Sequence, residues 1–452
     1  MKIIQLVPTL SYGDAVSNDI LALNGLLHKL GIETEIYALE IGAHIPAGTA
    51  VNFHLMPKLM PEDILLYHMA TGCNEIANFL LHCECRKILV YHNITPSHFF
   101  SPYAKNYVTA VQDALKELIL LKETFECCIA DSEFNKQDLR KAGYTCPIAV
   151  LPILVPFEDY QQEPDADVLS RYKDAGWTNI LFVGRIAPNK CQEDVIASFA
   201  AYKEKYNAKS RLFIVGNYNG MEAYFERLQQ YVAENHVKDV VFTGHITFKA
   251  IIAYYNLADV FLCMSEHEGF CVPLLEAMKF EVPIVAYEST AIPYTLNDAG
   301  IIVNEKNPIM IASIINEIVC NDQFRNQLLV TQNKRLSYFQ YGNVAKMAEN
   351  IILRLVNRED IEPLETQRMI DKDRVAGKRS SLLSQIEIQS SILDQNQITK
   401  EWVPLSQIPV PKVSAKQVRT EEPRQSILFR CYRLVHSIAP GLADFIRSNL
   451  KN

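Results

Sequence analysis

The sequence predicts an α/β protein made of two domains, each built around a parallel β-sheet. Short apolar runs such as Asn179–Val183 alternate with helical stretches over residues 1–342, which is the pattern of repeated β-α units. Several runs end in loops that carry Gly, His, Arg or Glu, at the sheet edge where open α/β folds bind ligands. A length of 452 residues suits two domains, and Pro152, Pro156 and Pro164 mark a linker between them.

The composition is that of an ordinary globular protein, with 49% hydrophobic and 21% charged residues. A formal net charge of −8 argues against a general nucleic-acid binder, because such proteins carry basic surfaces. The 11 Cys lack the paired spacing of a metal site, so we expect reduced thiols. The N-terminus is typical of a strand and not of a signal peptide, and no apolar stretch reaches about 18 residues. We therefore expect a cytoplasmic protein.

The first domain, residues 1–157, opens with a strand at Lys2–Val7 and a helix over residues 15–30. The loop between them contains Gly13 and Asp14 and lies at the ligand-binding edge of the predicted sheet. This loop could therefore approach a ligand. Asp14 suits a helix N-cap equally well.

His92 and Asn93 directly follow the predicted strand Lys87–Tyr91. A ligand binds at this end of a parallel strand, so we predict a functional role for His92, which Asn93 could share. Asp131 and Ser132 follow the next strand, where capping of the following helix is the favoured interpretation.

The second domain, residues 165–342, begins with the strand Asn179–Val183, which is followed by Gly184, Arg185 and Lys190. The glycine permits close approach of a ligand. The planar guanidinium and the lysine charge together suit a diphosphate. The alternative is a pair of solvated surface cations.

The most informative stretch is Ser265–Met278, which follows the apolar run Val260–Met264. Gly269 permits a sharp turn and Pro273 suits the first turn of a helix, so the segment is predicted as strand, loop and helix N-terminus. Free amides and the positive end of the helix dipole meet there. This arrangement favours a phosphate.

Two carboxylates flank that phosphate position. Glu268 lies on the loop, and Glu276 follows after seven intervening residues. Carboxylates accept hydrogen bonds from hydroxyl groups, and such charge-assisted bonds contribute roughly 1.5–3 kcal/mol each. A sugar at one carboxylate, a ribose at the other and a diphosphate between them make a nucleotide sugar.

This stretch resembles the Glu-x7-Glu signature of the retaining glycosyltransferases of family 4, which have the two-domain GT-B fold. The resemblance implies that Glu268 contacts the transferred sugar and that Glu276 holds the nucleotide ribose. It also implies that the sugar and diphosphate face four loop amides, those of Gly269, Phe270, Cys271 and Val272.

Other positions match the same family. Gly184, Arg185 and Lys190 resemble its G-R-x4-K-G element, with Cys191 in place of the final Gly. The position of His92 implies contact with the transferred sugar or a role near the reaction centre.

By the same resemblance, Gly216 and Ile246 would help to hold the ribose and the base, although a core position for Ile246 is nearly as well supported. The resemblance covers residues 1–357, and it implies that the helix at 343–357 crosses back to the first domain.

The implied reaction transfers a hexose from a UDP- or GDP-linked sugar to an acceptor hydroxyl, with retention at the anomeric carbon. We expect no cofactor and no metal, because the cations and the helix dipole can stabilise the leaving diphosphate. Asp371-Lys372-Asp373 is spelled like a metal motif but lies away from any strand end. A GT-B epimerase or phosphorylase is one alternative. A non-catalytic glycosyltransferase-like subunit that binds sugar nucleotide or acts as a scaffold is another.

The remaining residues lie outside the resemblance. We predict an extension and proline-containing linker over 358–425 and a basic amphipathic tail over 426–452. The tail suits an anionic membrane surface, a partner protein or packing against the body of the protein. A glycan or lipid-linked acceptor of bacterial surface-polysaccharide synthesis fits a tail that lies on the inner face of the membrane.

Overall fold

The computed structural model describes residues 1–11, 13–174, 176–361 and 402–411. The basic tail, the Asp371-Lys372-Asp373 segment and most of the predicted extension lie outside these residues. Two parallel β-sheets with flanking helices confirm the predicted α/β class. The described residues up to Val410 belong to one compact unit. No helix in the described ranges combines the length and apolarity that a membrane span requires.

The first sheet has seven strands in the order β3-β2-β1-β4-β5-β6-β7. Its strands are β1 (Ile3–Leu10), β2 (Thr34–Ile41), β3 (Val51–Asn52), β4 (Ile64–Met69), β5 (Arg86–Tyr91), β6 (Cys127–Ala130) and β7 (Ile148–Val150). The helices connecting them are α1 (Ala15–Lys29), α2 (Asn74–His82), α3 (Lys105–Leu120) and α4 (Glu133–Lys141). The first strand runs past its predicted end at Val7, because Thr9 and Leu10 still pair with β2.

The second sheet has six strands in the order β10-β9-β8-β11-β12-β13. Its strands are β8 (Thr178–Val183), β9 (Ser210–Val215), β10 (Val240–Gly244), β11 (Val260–Cys263), β12 (Ile284–Tyr287) and β13 (Ile301–Val303). The helices are α5 (Ala166–Tyr172), α6 (Gln192–Lys205), α7 (Glu222–Glu234), α8 (Phe248–Leu257), α9 (Val272–Lys279), α10 (Ile292–Leu296), α11 (Pro308–Cys320) and α12 (Asp322–Tyr338). The short edge strands β3 and β13 have too few residues to show a sequence period.

The strand order places a crevice at the same position in both sheets. The first strand of each sheet, β1 or β8, lies between neighbours whose connections leave in opposite directions. Loops at the carboxyl ends of the strands separate at such a point and leave room for a ligand. The loops after β5, β8 and β11 carry the candidate site residues.

A last helix, α13 (Tyr341–Asn357), follows the second sheet and packs against the first. Its buried side chains include Val344, Ala348 and Ile352, which join a core cluster with Ile3 and Ile64 of the first sheet. This apolar face recurs every three to four residues, as expected for an amphipathic helix. The chain therefore returns to its first domain after completing the second.

Residues 402–410 pack on α7, although the sequence predicts a linker over 358–425. Ile408 is only 3% exposed. Arg227 of α7 donates to the carbonyl oxygens of Leu405 at 2.5 Å and Ile408 at 2.8 Å. Leu405–Gln407 form a short 3₁₀ turn, and the Arg227 guanidinium that reaches the carbonyls of this stretch lies far away in the sequence.

Candidate functional site

A cavity of about 190 Å³, open to solvent, lies between the carboxyl ends of the two sheets. Loops of both domains form its wall, and the cavity therefore spans the two units predicted from the sequence. Six residues predicted as site residues line it: His92, Asn93, Arg185, Lys190, Glu268 and Gly269.

The loop after β11 is held by side chains at nearly every carbonyl. Five of its carbonyl oxygens accept a hydrogen bond from a side chain elsewhere in the fold, at distances between 2.5 and 3.0 Å. The side chain of Ser289 donates to the carbonyl of Ser265, that of Asn189 to His267, that of Thr290 to Glu268, that of Ser132 to Gly269 and that of Thr295 to Phe270. A loop with its backbone bonded in this way holds its side chains in one geometry. The cavity is therefore built on a preorganised loop.

Glu268 forms an ion pair with Lys190 from the loop after β8. The Lys190 Nζ lies 2.6 Å from each carboxylate oxygen of Glu268. The side chains are 8% exposed at Glu268 and 21% exposed at Lys190. Burial is the largest single effect on the pKa of Lys190 and lowers it, but the charge and hydrogen bond of Glu268 together with the neighbouring thiols Cys271 and Cys263 outweigh burial, so the pKa is raised. Both predicted groups thus meet in the cavity, where each neutralises the other.

Arg185 follows β8 and contacts Tyr107 of the first domain. The Nη2 atom of Arg185 donates to the Tyr107 hydroxyl and, at 2.8 Å, to the carbonyl of Asn219. The guanidinium lies 4.9 Å from the centre of the Tyr107 ring. A diphosphate that takes both donors of the Arg185 fork must therefore displace this tyrosine.

Glu276 lies in α9, with each carboxylate oxygen bonded to a tyrosine. Tyr160 donates to Oε1 at 2.6 Å and Tyr255 donates to Oε2 at 2.7 Å. Burial raises the pKa of Glu276, and the two tyrosine bonds oppose that rise. Both carboxylate oxygens of Glu276 therefore have a hydrogen-bond donor within the protein.

His92 belongs to a buried chain of hydrogen bonds that determines its charge. Its Nδ1 lies 2.9 Å from Asp131 Oδ2, and its Nε2 lies 2.9 Å from His68 Nδ1. The other nitrogen of His68 lies 3.0 Å from Gln5 Oε1, an acceptor, so it carries the proton and His68 Nδ1 accepts. Both nitrogens of His92 then donate. The ring is therefore an imidazolium balanced by Asp131.

The pKa shifts of this chain agree with that assignment. Burial lowers the pKa of His68 well below its ordinary value. Burial also acts to lower the pKa of His92, but the charge and hydrogen bond of Asp131, with the charges of Asp19 and Asp14, together outweigh burial and the pKa of His92 is raised. Burial raises the pKa of the neighbouring Asp19 to about 7, against the opposing effect of His92.

Contacts between Asn93, Gly269 and His267 join the two domains beside the cavity. Asn93 Oδ1 lies 2.5 Å from His267 Nε2. A Cβ atom at Gly269 would lie 2.7 Å from Asn93 Cβ and 2.9 Å from the His92 carbonyl, so this approach requires glycine. Burial lowers the pKa of His267 to about 4, which keeps this ring neutral. These contacts bring the loops after β5 and β11 together.

The other predicted positions do not line the cavity. Gly216 allows the ends of β8 and β9 to touch, because a Cβ there would lie 2.0 Å from the Gly184 carbonyl. Ile246 is half-buried and packs against the core of the second domain. Phe270 is buried in the same core, and Cys271 and Val272 begin α9 beside it.

In the first loop, Gly13 has a positive φ of 85° and Asp14 is the N-cap of α1. The carboxylate of Asp14 accepts from the Ser17 amide at 2.8 Å and from the Ser17 hydroxyl at 2.7 Å. The capping alternative therefore describes this side chain.

Several residues of the site carry no clear sequence signal. Asp131 is favoured as a helix cap by its sequence, yet Ser132 supplies the cap of α4 and Asp131 pairs with His92. His68 stands alone in an apolar strand, a position at which a buried imidazole requires partners. Tyrosines at 107, 160 and 255 are indistinguishable in sequence from core aromatics.

Three clusters of the described residues bring possible metal-ligand atoms within 4.8 Å of one another. They are Asp19 with His68 and His92, Cys263 with Glu268 and Cys271, and Cys191 with Asp194 and Glu266. Each cluster contains or contacts a positively charged side chain of the protein. His92, which pairs with Asp131, belongs to the first cluster, Lys190 pairs with Glu268 of the second, and Lys306 lies 2.7 Å from both carboxylates of the third.

Comparison with known protein families gives a match within the second domain. Residues 173–335 match the family model for glycosyl transferases group 1. This match covers most of the second domain. It includes the loop after β8 with Arg185 and Lys190, the loop after β11 with Glu268, and helix α9 with Glu276.

Curated relatives of the chain are glycosyltransferases by name. The O-antigen chain mannosyltransferase B of Escherichia coli is 24% identical over 280 residues, which are 60% of this chain and 71% of that protein. A glycosyltransferase of Methanocaldococcus jannaschii is 33% identical over 178 residues, which are 38% of this chain and 44% of that protein. The match to the second relative thus leaves more than half of that protein unmatched.

Solved structures share the fold of both domains. Sucrose-phosphate synthase from Thermosynechococcus elongatus superposes with a TM-score of 0.62 at 16% identity, over 79% of this chain and all (100%) of that chain. Anabaena Alr3699/HepE in complex with UDP and glucose gives 0.59 at 17% identity, over 78% of this chain and 99% of that chain. These likenesses confirm the predicted GT-B fold. Together with the match of residues 173–335 to the group 1 model, they support a GT-B glycosyltransferase.

Proposed function

We propose that the protein is a retaining, metal-independent hexosyltransferase that uses a nucleotide diphosphate sugar. The observation that carries this proposal is the cavity itself. It brings Arg185, Lys190 and Glu268 together beside the N-terminus of α9. Two cations and a helix N-terminus suit a diphosphate, and a carboxylate suits the hydroxyls of a sugar.

In the proposed reaction each charged group exchanges a protein partner for the donor. The diphosphate takes Lys190 from Glu268 and Arg185 from Tyr107, and Glu268 turns to the hydroxyls of the hexose. The ribose hydroxyls replace the tyrosines at Glu276. After binding, the two cations balance the two negative charges of the diphosphate, and both carboxylates keep hydrogen-bond donors, which limits the cost of desolvation.

The chemistry then breaks the bond between the anomeric carbon and the diphosphate oxygen. The acceptor oxygen bonds to the same face of that carbon, and its proton passes to the departing phosphate oxygen. The cations and α9 stabilise the negative charge that develops on the leaving group, which is the electrostatic role that a metal serves elsewhere. The buried His92 imidazolium adds a positive charge at the cavity wall.

The names of the relatives suggest which substrates to test first. Several are mannosyltransferases, one of them named as GDP-mannose-dependent, and another belongs to capsular polysaccharide biosynthesis. We therefore propose a hexose donor of the GDP-mannose or UDP-glucose type and a glycan or lipid-linked acceptor of surface-polysaccharide synthesis. The predicted basic tail would bring the protein to a membrane surface that carries such an acceptor.

The test is a panel of UDP-, GDP- and ADP-sugars incubated with the full chain in EDTA, with and without a lipid-linked glycan, while nucleoside diphosphate release is measured. We expect release from one donor, with loss of at least roughly 100-fold in the Glu268→Gln variant. Glu234→Gln, an exposed position at the end of α7, is the matched control and should keep wild-type activity. Anomeric configuration of the product by NMR decides between retention and inversion. Activity that requires added Mg²⁺ would refute metal independence.

Each charged side chain predicted to bind the donor is already bonded to another group of the protein. This observation favours a second candidate, a non-catalytic subunit that binds or senses a sugar nucleotide. Calorimetric titration with the same nucleotides separates the two. Binding without release of nucleoside diphosphate, from any donor and with acceptor present, would support the subunit.

A further inference from the structure

Thr290 has a backbone conformation that its side chain disfavours. Its φ is 41°, in the left-handed region, where a β-branched residue is a genuine outlier. It lies in the loop between β12 and α10, at the same sheet edge as the cavity. Such an outlier persists only where the surrounding structure determines it, and it is a reason to look for a function.

The hydroxyl of Thr290 is bonded twice to the backbone of a single residue, Glu268. It accepts from the Glu268 amide at 2.8 Å and donates to the Glu268 carbonyl at 2.9 Å. The Ala291 amide also donates to that carbonyl, at 3.3 Å. One side chain therefore holds the peptide groups on both sides of the carboxylate that faces the cavity.

The neighbouring residue Ser289 also bonds to the loop after β11, since its hydroxyl donates to the Ser265 carbonyl at 2.6 Å. Ser289 acts at the start of the loop, whereas Thr290 acts at Glu268 itself. The hydroxyl oxygen of Thr290 thus bonds to both the amide and the carbonyl of Glu268, which restrains the peptide planes on either side of this residue.

We propose that Thr290 is a positioning residue for Glu268 and sets the direction in which the carboxylate meets the donor sugar. This inference rests on the proposed transferase function. The Thr290 hydroxyl touches no reacting atom and acts through the backbone of Glu268. A small displacement of a positioned catalytic group costs up to roughly 100-fold in rate.

The test compares Thr290→Ser, Thr290→Val and Thr290→Gly. Serine keeps the hydroxyl and should retain kcat within about threefold. Valine keeps the shape and removes both bonds, and glycine removes both bonds together with the unfavourable conformation. We expect kcat to fall roughly 10- to 100-fold in both, with donor KM changed by less than about threefold. Relief of the left-handed conformation offsets part of the lost bonding in the glycine variant, so its Tm should fall less than that of the valine variant, and an equal loss of kcat in both would not follow from unfolding. Ser289→Ala is the matched control and should change kcat less than the valine variant does.

Amide hydrogen exchange makes the result independent of turnover. Exchange at the Glu268 amide should be faster in the valine and glycine variants than in wild type and serine. Unchanged exchange and unchanged kcat in the glycine variant would overturn the proposal, as would a loss of kcat that only tracks a loss of Tm. A wild-type protein that turns over no donor would refute the proposed transferase function, and exchange would still decide whether Thr290 holds Glu268.

Discussion

Replacing Lys190 with methionine removes the partner of a buried carboxylate, and replacing Glu268 with glutamine removes the partner of a buried ammonium. The two residues lie 78 positions apart in sequence and meet at 2.6 Å. The double variant Lys190→Met/Glu268→Gln leaves neither charge behind. These three variants and the wild type form a double-mutant cycle for the central contact of the cavity.

The expected magnitude follows from the distance and the burial of the pair. Two unit charges about 3 Å apart at an effective dielectric constant of about 20 attract by roughly 5 kcal/mol. The Lys190 and Glu268 side chains are 21% and 8% exposed, so part of this attraction offsets the loss of hydration and a further part is screened by solvent. We expect each single substitution to lower the free energy of unfolding by about 3 kcal/mol, and the coupling energy to be about 2–4 kcal/mol. The double variant should lose less free energy of unfolding than the sum of the losses in the two single variants.

Urea unfolding at pH 7 measures the four free energies. The Lys116–Asp113 pair on α3, at 3.0 Å and with 77% and 35% exposure, supplies a control cycle within the same protein. Its coupling should be below about 1 kcal/mol, as for exposed pairs in general. If the Lys190–Glu268 coupling is no larger than that of the control pair, the two charges do not share a desolvated site and the geometry of the cavity is wrong.

Two further predictions concern contacts outside that pair. Because Asp131 raises the pKa of His92, the protonated ring stabilises the fold below its unfolded pKa of about 6.5, and that stability is lost as the pH rises through the folded pKa. Asp131→Asn should therefore reduce the free energy of unfolding most at pH 6, with a difference from wild type that shrinks at higher pH in urea titrations. Arg227→Ala removes two bonds to carbonyls of residues 402–410, and it should lower the free energy of unfolding by about 2–3 kcal/mol and expose this segment to limited proteolysis.

Exposed residues of matched type provide the controls. Asp298→Asn should give a difference from wild type that is independent of pH, and Arg171→Ala should stay within about 0.5 kcal/mol and leave the proteolysis pattern unchanged. A pH-independent loss in Asp131→Asn would mean that His92 is neutral in the folded protein. Unchanged protection of residues 402–410 in Arg227→Ala would mean that the apolar contacts of Ile408 hold the segment by themselves.

The sequence by itself determined the secondary structure around the site. Apolar runs of four to six residues predict the central strands, because a parallel strand is buried on both faces. Gly269 and Pro273 predict the turn and the start of α9, because their effect on backbone conformation is local. Arg185, Lys190 and Glu268 could therefore be assigned to loops at one sheet edge before any tertiary contact was known.

Only the tertiary structure decided which partner each charge takes. Sheet order brings Lys190 to Glu268, Asp131 to His92 and Thr290 to the backbone of Glu268, across separations of 78, 39 and 22 residues. The sequence left the cap of α4 open between Asp131 and Ser132, and the structure gives the cap to Ser132 and pairs Asp131 with His92. A carboxylate has several local uses, and the choice among them depends on which donor the fold carries to it. Periodicity and turn chemistry act over a few residues, whereas compensation of a buried charge acts through space.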